Sequence, residues 1–319
     1  MKRFKNILYV AGETVTQSAA IERAVELAAN NQAELTVIDV VPHAPEDLDR
    51  TTRARAEEYW LAKRRSSLDS LLAPYKRRLN CQIVTVAGKR FLEVLRAVLS
   101  NEHDLVITEA EDPDWSHRLF GSKDMHLLRK CPCPVWLTKP EEKPNYNCIV
   151  AAVDIDVWES NPEQQLLNEE ILELASSLAV SDFASLHLVH AWDAPADWVF
   201  TAWADNPEKT TNDYVQGMRS RHRRAMAQLQ AHLREHIGKD AYDYIAPQVH
   251  LPQGSPGVVI PELTKQLDAD LVVMGTVGRS GIPGLLMGNT AETILDQLCC
   301  SVLVMKPPGF VSPVRSGVE

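Results

Sequence analysis

The sequence lacks the features that mark several large classes of protein. No apolar run approaches the ~20 residues of a membrane span, and the apolar stretch after the basic N-terminus covers only Ile7 to Ala11. We therefore expect neither a membrane protein nor a secreted one. Positive charge is also scarce, since 33 Lys and Arg stand against 43 Asp and Glu for a net charge of −10. This balance argues against general affinity for nucleic acid and favours a soluble cytoplasmic protein.

Sequence patterns of common catalytic and metal sites are missing as well. The six cysteines include a C-x-C pair, Cys131 and Cys133, and an adjacent pair, Cys299 and Cys300, but no C-x-x-C. We interpret them as reduced structural thiols, with a redox or metal role as the alternative. Neither a G-x-S-x-G elbow nor a G-x4-G-K-[S/T] phosphate loop is present. We assign no catalytic residue and no metal ligand.

The chain does contain an internal repeat. Asp104–Thr108 leads to Cys133–Pro140 in one half, and Asp270–Met274 leads to Cys300–Pro307 in the other. A repeat that divides 319 residues near the middle predicts two domains of ordinary size. We place them at residues 1–140 and 147–309, with the proline-containing segment before Tyr146 as the linker.

Strand-like and helix-like patterns alternate through both halves. Such alternation indicates βαβ crossovers and a parallel sheet covered on both faces. The sequence thus predicts an α/β fold of two tandem doubly wound domains, each with a mostly parallel five-stranded sheet. Among its elements we expect a long helix from about Pro45 to Arg78, a strand from Tyr244 to Leu251, and a last strand at Val302–Met305.

In sheets of this kind, ligands bind beyond the carboxyl ends of the strands. Three segments of the second half end there: the first strand at Asp154, the second at Ala191, and the loop between the fourth strand and the next helix. Glycines in this loop permit positive φ and close backbone approach, and a helix N-terminus can face a phosphate. The loop residues selected for this role are Gly275, Gly278, Gly288, Asn289 and Thr290.

Each of these residues also has a purely structural interpretation. Asn289 and Thr290 are ordinary helix-capping types, and Asp154 is an ordinary turn former. The glycines could serve turns without any ligand. Other features also favour structural roles. The basic run Arg219–Arg224 indicates a solvated helix face. The aromatic cluster that begins at Trp192 could shelter an apolar ligand, but packing in the core or at an interface is the preferred interpretation.

The loop matches a known signature. Gly275, Gly278 and Gly288 stand at the glycines of G-x2-G-x9-G-[S/T], and the chain resembles a tandem universal stress protein over nearly its whole length. Further similarity lies in the opening strand that ends at Asp154 and in the G-x-P turn at Gly254. Two positions depart from the pattern, Asn289 at the Ser/Thr position and Asp156 in place of a serine.

The resemblance implies a cytoplasmic stress-response protein. It places adenosine near Asp154 and Ala191, and phosphates on the loop residues selected above, with ATP or another adenine nucleotide as the ligand and Mg²⁺ as its only metal. We expect a non-enzymatic protein, with an interaction scaffold without nucleotide and a slow ATPase as alternatives. The family resemblance also implies an intramolecular pseudo-dimer, with a homodimer left open, and no nucleic-acid or membrane partner.

The first half departs much further from the nucleotide-binding pattern. Gly12 replaces the strand-end aspartate, while Glu109 and Asp112 replace the first two glycines. Glu111 and Asp114 add negative charge. A like-charge contact at ~4 Å costs about 4 kcal/mol at an effective dielectric constant near 20. We therefore predict no ATP site in residues 1–140.

Overall fold

The computed structural model describes residues 4–12, 14–110, 122–140, 143, 145–159, 161–195, 206–276 and 287–314. The chain divides into two compact units. The first contains residues 3–145 and 300–319, and the second contains residues 146–299. The last strand of the sequence therefore belongs to the same compact unit as the first half.

Strands and helices alternate in the first unit. In chain order they are β1 (Asn6–Val10), α1 (Ala19–Asn31), β2 (Glu34–Val41), α2 (Arg50–Leu72), β3 (Cys81–Ala87), α3 (Arg90–Asn101), β4 (Leu105–Glu109), α4 (Ser122–Lys130), β5 (Val135–Thr138) and the final β10 (Ser301–Met305). The strand order is β3-β2-β1-β4-β5-β10. The first five strands are parallel, and β10 pairs antiparallel with β5, where Leu303 faces Trp136.

The second unit repeats the alternation. Its elements are β6 (Cys148–Ala152), α5 (Pro162–Asp182), β7 (Ser185–Val189), α6 (Pro207–Ile237), α7 (Lys239–Ile245), β8 (Gln248–His250), α8 (Pro256–Gln266), β9 (Leu271–Gly275) and α9 (Asn289–Leu295). Its strands lie in the order β9-β6-β7-β8 and are all parallel. The predicted α/β class with mostly parallel sheets is confirmed.

The repeated aspartates have the same structural role in both units. Asp104 accepts hydrogen bonds from the backbone N–H groups of Lys5 and Asn6, at 2.6 and 3.1 Å. Asp270 accepts from Asn147 and Cys148 at 2.7 and 3.1 Å. Each carboxylate therefore accepts from backbone donors at the start of the first strand of its unit.

Two elements differ from the sequence prediction. Helix α2 is shorter than expected because Asp49 caps its start, accepting from Thr51 N and Thr52 N, and because Pro74 follows its end and cannot continue a helix. The predicted strand from Tyr244 is wrong over its first residues. Tyr244 lies in α7, which ends at Ile245; Ala246 follows in the left-handed conformation, and β8 begins only at Gln248.

The core consists of buried apolar strands covered by one face of each helix. Strands β1, β4, β6 and β9 are apolar and buried along nearly their whole length, as expected for parallel strands covered on both faces. None of the helices in the described parts of the chain combines the length and the hydropathy needed to cross a bilayer.

Candidate functional site

The carboxyl ends of three neighbouring strands meet at one edge of the second unit. The register pairs Ala152 of β6 with Val189 of β7 and with Met274 of β9. Asp154, Ala191 and Thr276 each follow one of these three paired residues by two positions. The sequence-predicted positions at the three strand ends are therefore brought together, with Asp154 on the central strand of the three.

Asp154 is held by the first helix of its unit. The backbone N–H of Asp154 donates to Asn168 Oδ1 at 3.1 Å, and Asn168 Nδ2 donates to the backbone carbonyl of Asp154 at 2.6 Å. Gln164 Nε2 also donates to Asn168 Oδ1, at 3.2 Å. Asn168 is buried. These bonds hold the backbone of Asp154 in place, and so they fix the point at the sheet edge from which its side chain extends.

Ala191 follows a buried histidine that braces the same edge. His190 is fully buried, and its Nδ1 lies 3.2 Å from Val153 O and 3.4 Å from Ile155 N, the residues on either side of Asp154. Its Nε2 lies 2.8 Å from Nδ1 of His222 on α6. The Ala191 side chain is small and buried. The end of β7 thus places a small, buried methyl group at the same sheet edge as Asp154.

Gly275 serves a packing purpose that differs from the sequence prediction. It is not among the described glycines with positive φ, which are Gly238, Gly254 and Gly309. A Cβ at Gly275 would instead lie 2.8 Å from Leu167 Cδ2 and 3.7 Å from Ile171 Cδ1. Gly275 therefore does not use the positive φ that a glycine permits, and its missing side chain makes room for Leu167 of α5 at the end of β9.

The two ends of the glycine loop meet at this edge. Gly288 N donates to Thr276 O at 2.8 Å, and Thr276 is fully buried. Gly288 is the N-cap of α9, with φ −79° and ψ 147°, an extended conformation that any residue can adopt. Asn289 and Thr290 begin the helix and are exposed. Both ends of the loop are therefore anchored beside Asp154 and Ala191.

Several sequence-selected residues lie outside the described residues. Gly278 falls between Thr276 and Met287, and the part of the aromatic cluster that follows residue 195 precedes Asn206. Glu111, Asp112 and Asp114 of the first half also lie outside the described residues. The predictions for these residues stay predictions.

A cavity opens on the α5 side of Asp154. It has a volume of about 600 Å³ and lies between the segment after β6 and one face of α6. Its lining is partly polar and partly apolar, and includes several carboxylates and the amides of Asn161, Gln164, Asn168 and Gln228. Trp158 stands at its margin, with the Arg221 guanidinium 4.5 Å from the indole ring centroid. The cavity is large enough for a small molecule, and its amides can both donate and accept hydrogen bonds.

The corresponding edge of the first unit is filled by its own side chains. Glu109 Oε2 would lie 3.7 Å from a Cβ at Gly12. Arg64 reaches from α2 to bind both carboxylate oxygens of buried Asp39 and the Gly12 carbonyl, the latter at 2.7 Å. Arg90 donates to Ala11 O at 2.5 Å and to Thr108 Oγ1 at 3.2 Å. The side chains of Glu109, Arg64 and Arg90 thus lie together at the strand ends of the first unit.

Sequence reasoning missed the residues that support the candidate site. Asn168 and His190 hold the backbone around Asp154, and Leu167 occupies the space that a side chain at position 275 would enter. The one available signal was a polar residue inside an otherwise apolar helix face, since Asn168 lies between Leu167 and Ile171. A side chain of that type in such a place usually has a hydrogen-bond partner.

Comparison with known proteins agrees with this architecture. The model of the universal stress protein family matches the chain twice, over residues 3–139 and 145–306. The chain belongs to the universal stress protein family, as a tandem member with two copies of the domain. The expected family membership is confirmed.

Individual relatives cover most of the chain. It is 34% identical to universal stress protein E of Escherichia coli (strain K12) over 230 residues, which is 72% of this chain and 68% of that protein. It is 30% identical to a universal stress protein E homolog of Haemophilus influenzae over 318 residues, covering 96% and 98% of the two chains. A crystal structure of a functionally unknown protein from Pseudomonas aeruginosa PAO1 superposes with a TM-score of 0.69 at 24% identity, covering 95% of this chain and 93% of that one, and shows the same fold.

Proposed function

We propose that the protein is a cytoplasmic, non-enzymatic stress-response protein whose second unit binds ATP or another adenine nucleotide as a regulatory ligand. The observation that carries the proposal is the meeting of Asp154, Ala191 and both anchors of the glycine loop at one sheet edge. A carboxylate next to a small apolar side chain suits a ribose hydroxyl and a base, and a glycine-rich backbone suits phosphates. Asp154, Ala191, Gly275, Gly278, Gly288, Asn289 and Thr290 form the proposed contact set.

The residues present fit such a ligand. Gly288 carries no side chain at the start of α9, and Asn289 and Thr290 at the first helical positions are exposed. A nucleotide triphosphate would bring Mg²⁺ with it, held by its own phosphate oxygens. The first unit is proposed to bind no nucleotide because Glu109, Arg64 and Arg90 occupy its strand ends.

A charge introduced into the loop tests this proposal in the full chain. Gly288→Asp should keep the fold, because the backbone at Gly288 is extended and aspartate is a good N-cap. It should weaken ATP binding strongly, since the carboxylate repels phosphate. Gly288→Ser, equally good as a cap but neutral, is the matched control and should keep most of the affinity.

Isothermal titration with ATP, followed by the same titration of Gly278→Asp, measures the effect. Equal ATP affinity in wild type, Gly288→Asp and Gly278→Asp would contradict the proposed phosphate position. Phosphate release above a no-protein control, lost in the same variants, would favour the ATPase alternative over a purely regulatory ligand.

A further inference from the structure

Strand β3 forms an open edge of the first unit. It is the end strand in the order β3-β2-β1-β4-β5-β10, so only one of its two sides is paired. On the β2 side, Leu35 N donates to Asn80 O at 3.1 Å, and Gly88 N donates to Val41 O at 2.9 Å. Because the backbone groups of successive residues point to opposite sides of a strand, the even-numbered residues from 80 to 88 bond to β2. The backbone groups that face away from β2 belong to Cys81, Ile83, Thr85 and Ala87.

These outward backbone groups have no hydrogen-bond partner among the described residues. The strand also lacks the features that usually prevent an edge from pairing, since Cys81–Ala87 spans seven residues without a charged residue, proline or glycine. Val84, at its centre, is exposed. Edge strand β8 of the second unit is different, because it has only three residues and stands between Pro247 and Pro252. The outer side of β3, which we call the β3 edge, is therefore able to accept a further strand.

Positive charge flanks the β3 edge at both ends. Arg77 and Arg78 precede the strand and Lys89 follows it, and all three residues are exposed. None of these side chains has an ion-pair or hydrogen-bond partner in the parts of the chain that the structure describes. Lys76 does not add to this charge, because it forms an ion pair with Asp69 at 2.7 Å. In a chain with a net charge of −10, these basic ends are a local exception that attracts acidic groups.

We propose that the β3 edge binds an extended segment of a partner protein as an additional strand, and that this segment carries acidic residues at both ends. The outward N–H and C=O groups supply main-chain hydrogen bonds, and the three cations select the partner by its charge. A second copy of this chain fits less well, because pairing β3 with itself in either direction brings basic ends together. The proposal concerns the first unit and is not built on nucleotide binding by the second.

A synthetic strand tests the β3 edge in the full chain. The probe is a fluorescently labelled peptide, Asp-Asp-Thr-Val-Thr-Val-Thr-Asp-Asp, with a strand-forming centre and acidic ends. Fluorescence anisotropy should show saturable binding that weakens as salt is added, because the charges lie at the surface. The same peptide with N-methyl groups on its central amides keeps its charges and side chains but cannot donate hydrogen bonds. It should bind on the order of tenfold more weakly.

Variants of the protein test the same contacts from the other side. Thr85→Pro removes an outward N–H but no bond to β2, so the fold should persist while peptide affinity falls on the order of tenfold. Arg78→Glu and Lys89→Glu should each weaken binding roughly two- to fivefold. Arg223→Glu is the matched control, since it makes the same charge change at an exposed position of the second unit and should leave affinity unchanged. If circular dichroism shows that Thr85→Pro does not fold, the charge variants and the N-methylated peptide still decide.

Hydrogen exchange locates the bound peptide. The amides of Ile83, Thr85 and Ala87 should exchange rapidly in the free chain and slowly once the peptide is bound. Equal affinity for the N-methylated peptide, or unchanged exchange at these amides, would overturn the proposal. So would a dimer of the chain, seen by sedimentation without peptide, that Thr85→Pro dissociates, because the edge would then belong to a second copy.

Discussion

Gly275, the last residue of β9, lies directly against Leu167 of α5. A Cβ at position 275 would come within 2.8 Å of Leu167 Cδ2, and Leu167 is itself fully buried. The glycine that the family signature associates with phosphate therefore also sets how closely the helix packs on the sheet. A Gly275 variant would disturb both the proposed phosphate contact and the packing of α5. These two causes of lost ligand binding must be separated.

A double-mutant cycle separates them. Gly275→Ala should destabilise the protein by about 1–3 kcal/mol, because the added methyl group overfills a packed contact. Leu167→Ala alone should cost about 2–5 kcal/mol through the cavity that it leaves. The double variant should be more stable than the sum predicts, since the new methyl group gains the vacated space. Urea unfolding of the four proteins measures the coupling, and strict additivity would show that the two positions do not compete for space.

Much of this site could be predicted from sequence, and the missing part has a common physical cause. Asp154 could be placed at a strand end because an apolar β-branched run ends there. The contact of Leu167 with Gly275 and that of Arg64 with Asp39 could not, because each depends on how closely a helix packs on the sheet. Hydropathy patterns give the face that a helix buries, but not the distance at which it packs.

The ion pair in the first unit should behave as a buried one. Arg64 binds both oxygens of Asp39, which is 1% exposed. Arg64→Ala should destabilise the protein by roughly 3–5 kcal/mol, because it leaves a buried carboxylate without its guanidinium partner. Replacing both residues by apolar ones, Arg64→Met with Asp39→Leu, should restore most of the loss. Urea unfolding checks both values, and a double variant as unstable as Arg64→Ala would show that the polar pair itself is required.

Acid should destabilise the second unit through a pair of stacked histidines. His187 Nδ1 lies 2.9 Å from His250 Nε2, with ring centroids 5.2 Å apart. Burial lowers the pKa of both imidazoles, and the neighbouring His250 lowers the pKa of His187 further. The folded state then binds fewer protons than the unfolded state, so stability is complete above the ordinary histidine pKa of about 6.5 and falls as pH drops below it.

Removing one ring should reduce that acid sensitivity. His250→Gln is expected to lose less stability than wild type between pH 7.5 and pH 5, because His187 no longer faces a second imidazole. The exposed His43 provides the control, since His43→Gln removes a histidine outside the stacked pair. Unfolding free energies at both pH values are compared, and an unchanged pH dependence in His250→Gln would rule out this pair as the cause.

Lys306 should produce a pH dependence of the same sign, but in the alkaline range. Its amine is buried, donates to Arg129 O at 3.1 Å and lies 4.6 Å from the Phe310 ring centroid. Burial lowers the pKa of Lys306 from 10.5 to about 7. Between these values the unfolded state carries a proton that the folded state has lost, so the stability of the wild type should rise with pH over this window.

The matching variant is Lys306→Met, which keeps the length of the side chain but does not titrate. Below pH 7 both states of the wild type are protonated, and the cost of burying the charge is present in full. Above pH 10.5 both are neutral, and that cost is gone. The stability difference between Lys306→Met and wild type should therefore shift against the variant by up to roughly 4 kcal/mol from pH 6.5 to pH 10. Urea unfolding across this range measures it, and parallel pH profiles would mean that the ammonium stays hydrated in the folded protein.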